Sequence, residues 1–201
     1  MAQLLTYIGG VFSSPRSTLK KISSHRPLSS AIIVFAFTTF ISSTAGLSTL
    51  PQDFPFGVGT FLPVMIIGSL IFGAFGWFFQ AAIYHLFAEF LGGKGRALAL
   101  FTTLPFTSLP GIILAPLGLI FRSLNLTFLS LPLSLALLVW VFLLQLWALQ
   151  AVYELSGLRA AAAILLPFVA FTVAILLFGI TLFTTTLPII MQSLPTLSIS
   201  L

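Results

Sequence analysis

Apolar residues fall in long unbroken runs separated by short polar turns. A run of about 20 apolar residues is what a helix needs to cross a bilayer, and barrel strands would alternate apolar and polar positions instead. The runs predict about five spans, at 28–47, 61–91, 97–121, 131–153 and 160–183. Ahead of them, Leu4, Leu5, Ile8, Val11 and Phe12 line one face of a helix over 2–14, with Gln3, Thr6 and Ser13 elsewhere. At about 20 Å this helix is too short to span, and Pro15 stops it. The prediction is an all-α, polytopic transmembrane helix bundle with a short amphipathic N-terminal interfacial helix, forming a single membrane domain over 1–201.

The second run is long enough for a helix of about 46 Å, against a hydrocarbon core of about 30 Å. Such a helix must tilt, kink or project. Its first half carries the small residues Gly68, Ser69, Gly73 and Gly76, a surface that a neighbouring helix can approach closely. Its second half carries Gln80, Tyr84, His85 and Glu89 and reaches the interface. Gly92, Gly93, Lys94, Gly95 and Arg96 end it, with glycine supplying the left-handed cap. The third run contains Pro105, Pro110 and Pro116, which remove helix hydrogen bonds; Thr102, Thr103, Thr107 and Ser108 stand close enough to satisfy the freed carbonyls. Gln145 lies deep in the fourth run and is expected to bond across to another helix. The stretch 50–60 reads as an exposed turn, and the uncharged tail 184–201 as irregular or lying on the membrane surface.

Composition narrows the class further. Charged residues make up 5% of the chain and hydrophobic residues 59%. A surface so poor in charge belongs in lipid, since soluble domains carry about 25% charged residues. The net charge of +5 does not point to nucleic acid, because no basic patch is interleaved with stacking aromatics. Arg16, Lys20, Lys21 and Arg26 precede the first run, Lys94 and Arg96 share the central turn, and Arg159 precedes the fifth. With a cytoplasmic N-terminus these lie inside and Arg122 alone lies outside, the bias expected of the cytoplasmic face. The tail then falls on the opposite side of an inner (plasma) or other internal membrane. The chain has no cysteine, which excludes disulfides and thiolate metal sites.

His85 and Glu89 are four apart and share a helix face. Three readings compete: a structural pair that locks the end of the second helix, joined by Lys94 or Arg96; a proton or cation relay; and a metal site. The last lacks ligands, since the other histidine is His25, before the first run. No cofactor and no catalytic constellation is expected. The basic glycine turn could cradle phosphate, but it lacks the GxxxxGK[ST] loop and reads first as a cap and topological anchor.

In the order and spacing of SPRSTLKKI, YHLFAEFLGGKGR, TTLP and the stretch from Trp140 through ELSGLRA, the chain resembles the Yip1 family of five-span membrane proteins, in its prokaryotic branch. It departs from the family pattern at Phe101, where relatives often have tyrosine. The resemblance implies a cytoplasmic N-terminus and a non-enzymatic protein that organises, escorts or traffics other membrane components. Eukaryotic members are linked to vesicle trafficking and small GTPases. Its expected partners are the lipid bilayer and other membrane proteins or itself. The alternative is a small-solute or ion carrier using the third span, broken at Pro105 and Pro110, together with His85 and Glu89.

Overall fold

Residues 2–47 and 58–193 are described in the computed structural model, and they are helical apart from short turns. The expected turn at 50–60 falls, up to residue 57, outside the described residues. The order is α1 (Ala2–Ser13), α2 (Pro15–His25), α3 (Leu28–Leu47), α4 (Val58–Phe90), α5 (Ala97–Thr107), a 3₁₀ turn (Leu109–Ile113), α6 (Leu114–Ser123), a second 3₁₀ turn (Thr127–Leu129), α7 (Ser130–Tyr153) and α8 (Gly157–Ser193). Among the described residues four stretches are long and apolar enough to cross a membrane: Phe61–Phe90, Ala97–Ser123, Thr127–Tyr153 and Gly157–Leu187. Leu28–Thr44 adds a shorter apolar helix. The architecture is an all-α helical membrane bundle.

The N-terminal segment differs from the expectation. Pro15 ends α1 but also begins α2, because a missing N–H costs nothing at the first helical position. Thr18, Leu19, Ile22 and Ser23 form the buried face of α2, which packs on α7 and α5. Arg16 lies over the Trp147 ring, 5.0 Å from its centroid, a cation–π contact between α2 and α7. The apolar stripe of α1 is divided. Tyr7 and Val11 are buried with Leu19, Ile22 and Phe106, and Leu4 and Ile8 pack against them. Leu5 stays 68% exposed and Phe12 is exposed beside it.

The small-residue face of α4 is narrower than the sequence suggested. A Cβ on Gly73 would stand 3.2 Å from the Phe35 ring of α3, whereas Gly68 and Gly76 meet nothing within 4 Å. Close helix approach is therefore centred on Gly73. Away from the helix contacts, Ile71, Phe72, Phe75, Phe79, Leu86 and Phe90 are exposed. Apolar surface of that extent on one helix belongs against lipid tails.

The third span breaks as its prolines require, with α5 stopping at Thr107 and the chain passing through a 3₁₀ turn into α6. Asn125 caps α6 in the left-handed conformation, with Leu126 N–H donating to Phe121 O at 2.7 Å and Asn125 N–H to Arg122 O at 3.1 Å.

The chain divides into two compact units, Met1–Ile164 and Leu165–Leu201. In the first, the opening turns of α8 contribute Ala160, Ala163 and Ile164 to a core with Tyr84, Ala88 and Tyr153. In the second, α8 continues to Ser193, so residues 184–193 are helical rather than irregular. Thr184, Thr185 and Thr186 return their hydroxyl protons to the carbonyls of Ile180, Thr181 and Leu182 at 3.0, 2.9 and 2.7 Å. Hydroxyls satisfied in this way let a polar run continue an apolar helix. Residues 194–201 lie outside the described residues.

Candidate functional site

The end of α4 is fixed by a Schellman cap. Gly92 adopts φ +87°, its N–H donates to Glu89 O at 2.9 Å, and Gly93 N–H donates to Ala88 O at 2.8 Å. The next residues lie against the C-terminus of α7, where Lys94 N–H reaches Tyr153 O at 3.4 Å. A Cβ on Gly95 would stand 2.5 Å from Val152 O and 2.6 Å from the Tyr153 ring, and one on Gly93 2.8 Å from Tyr153 Cβ. These two glycines are needed for close approach, Gly92 for its backbone conformation.

Tyr153 is fully buried at the centre of this contact, and the sequence alone did not single it out. Its hydroxyl lies 2.7 Å from His85 Nδ1, while His85 Nε2 lies 3.5 Å from Glu89 Oε1. The tautomer that serves both neighbours carries its proton on Nε2, facing the carboxylate, and accepts the tyrosine O–H at Nδ1. Side-chain exposure is 26% for His85 and 55% for Glu89. Both border an apolar groove of about 640 Å³ between α4 and α5. Among the described residues Glu89 forms no ion pair with Lys94 or Arg96, and the third member of the group is Tyr153, bonded to the histidine.

One residue earlier in α4, Tyr84 donates to Gln145 Oε1 of α7 at 3.2 Å. This is the cross-helix bond that an amide in an apolar run requires. Gln80 borders a different space, a cavity of about 670 Å³ beside the helix break. Thr38, Ser42, Ser43, Ser69 and Ser108 also line it.

A third bond joins α4 to α5. Pro105 has no N–H to offer Phe101 O, four residues before it, and Trp77 Nε1–H donates to that carbonyl at 2.9 Å. The indole also stacks on Phe101 at 4.0 Å and on Phe35 at 5.0 Å. The neighbouring hydroxyls serve other carbonyls: Thr102 bonds to Leu98 O and Ala99 O, Thr103 to Ala99 O, Thr107 to Leu104 O and Ser108 to Pro105 O. Phe101 thus fills its position as a stacking surface.

Lys94 and Arg96 border a different space from the histidine. With Lys20 and Arg26 they line a cavity of about 280 Å³ at the end of the bundle where α2, the glycine turn and α7 meet. Among the described residues no three His, Cys, Asp or Glu side chains converge as a metal site would need.

Comparison of the chain with curated proteins and with solved structures gave no match. The family model of the Yip1 domain matches residues 9–180, a stretch that includes the Tyr153 contact, the helix break and the basic cavity. By that match the chain belongs to the Yip1 family.

Proposed function

We propose that this protein organises, escorts or traffics other membrane components and performs no chemistry of its own. The observation that carries this reading is the use made of the polar side chains within the spans. His85, Tyr84 and Trp77 each bond to a group on another helix: Tyr153, Gln145 and the Phe101 carbonyl. Groups engaged in this way fasten α4 to α5 and α7; a transport path would need them to face a route for solute. Family membership points the same way.

In this reading residues 1–27, 92–96 and 154–159 face the cytoplasm and the chain after Phe183 faces the other side. Protein partners then dock on apolar helix surfaces or on the cytoplasmic end.

The hydroxyl-lined cavity at the helix break favours a second reading, a carrier of a small solute or ion, because broken helices beside polar cavities are where such proteins bind substrate. Gentle detergent extraction with mass spectrometry, paired with reconstitution into liposomes, separates the two. Stoichiometric membrane-protein partners and silent liposomes are expected. Solute flux that disappears in a cavity-filling Ser69→Leu variant would establish the carrier instead.

A further inference from the structure

We infer that the cavity formed by Lys20, Arg26, Lys94 and Arg96 is a binding site for a phosphate group bearing net negative charge. Two segments far apart in sequence build it: α2 brings Lys20 and Arg26, and the glycine turn brings Lys94 and Arg96. Among the described residues none of the four lies within ion-pair distance of a carboxylate. Arg26 Nε is buried without a hydrogen-bond partner. A buried guanidinium nitrogen left unpaired is costly unless an acceptor arrives.

The surrounding groups favour an anion. Arg96, the N-cap residue of α5, and Ala99 of its first turn both line the cavity, so the N-terminal end of an 11-residue helix lies beside it. The dipole of a helix is positive at its N-terminus and favours a phosphate placed near it. The two serines of the lining donate elsewhere: Ser23 Oγ–H bonds to Lys20 O at 2.8 Å and Ser24 Oγ–H to Lys21 O at 2.9 Å. Recognition therefore rests on the cations, with the helix dipole behind them. Arg26 is held in the left-handed region at φ 49° to close α2, a conformation glycine adopts freely. Deleting its side chain as Arg26→Gly therefore leaves the cap intact.

Phosphate chemistry is shared by an anionic lipid headgroup and a soluble phosphate. Ala99, Ala151 and Val152 supply an apolar wall compatible with a lipid lying along the bundle. The full chain in neutral detergent is titrated separately with dioctanoylphosphatidylglycerol and with inorganic phosphate at constant ionic strength, and the unfolding temperature gives an apparent Kd. Dioctanoylphosphatidylcholine, whose phosphate is internally neutralised, is the control lipid.

Saturable stabilisation is expected, weakened by a factor of about ten to a hundred in Arg26→Gly and in Lys94→Gln, because each change removes a charge-assisted hydrogen bond to the bound anion. Arg159→Gln, which removes a cation outside the cavity lining, should bind like the unaltered chain. Tighter binding of phosphatidylglycerol than of phosphate identifies a lipid headgroup; the reverse order identifies a soluble ligand. The site is refuted if neither probe shifts unfolding, if phosphatidylcholine binds equally well, or if all three variants weaken alike. This test is made in detergent and does not depend on the organising role or on the orientation in the membrane.

Discussion

Trp77, Tyr84 and His85 each bond α4 to a group on a neighbouring helix. Trp77→Phe keeps an aromatic ring against Phe101 but strands the carbonyl that Pro105 leaves free. Hydrogen bonds within membranes are worth about 0.6 kcal/mol on average and reach about 1.7. This one lies at the upper end, since no backbone donor can replace the indole, so Trp77→Phe should lower stability by about 1–2 kcal/mol. Unfolding in detergent measures it, and a Pro105→Ala background, which restores an N–H, should reduce the loss. At the turn, His85→Ala and Tyr153→Phe should be non-additive, because the two share one bond of 2.7 Å. His85→Ala and Glu89→Ala should couple more weakly, since the 3.5 Å contact ends on a carboxylate more than half exposed. A double-mutant cycle in which Glu89 couples to His85 as strongly as Tyr153 does would overturn this ranking.

Helix by helix, what could be read in advance was whatever depended on residues close in sequence. The five apolar runs, the cap at Gly92 and the break at Pro105 and Pro110 are local events, written in run length, glycine and proline. Tyr153 and Trp77 were not legible as site residues, because their partners stand 68 and 24 positions away in the chain. Helix α2 escaped notice for a related reason: it is short and polar, and its stability comes from docking on α5 and α7 rather than from an apolar run. That docking also divides α1. Val11 is fully buried whereas Leu5 faces outward, so two charges placed on the same stripe should behave oppositely. Leu5→Glu is expected to leave the unfolding free energy within about 0.5 kcal/mol of the parent and to weaken only adsorption to lipid. Val11→Glu buries a carboxylate against Leu19 and Ile22, and should cost several kcal/mol. Equal tolerance of both changes would mean that α1 leaves the bundle in solution.

At the scale of the molecule, four of the eight basic residues meet in one cavity, and this makes the proposed orientation testable as a unit. Lys20, Arg26, Lys94 and Arg96 line the same cavity, so they must lie on the same side of any membrane that the helices cross. Lys94 N–H also meets the Tyr153 carbonyl, which brings the α7–α8 turn to that end. The proposed orientation puts this side in the cytoplasm, in keeping with the positive-inside rule, since the reverse would move nearly every cation of the chain outward. The absence of native cysteine lets single cysteines report position directly. Ser24→Cys, Lys94→Cys and Ser156→Cys should resist an impermeant thiol reagent in intact cells and react after permeabilisation. Leu124→Cys, beyond α6, is 60% exposed and should react from outside in intact cells. Labelling of all three cytoplasmic positions from outside, with protection at 124, would invert the orientation and leave the bundle intact. Labelling of position 94 from outside while position 24 stays protected would separate α2 from the glycine turn, and neither the shared cavity nor the helix packing that forms it could then stand.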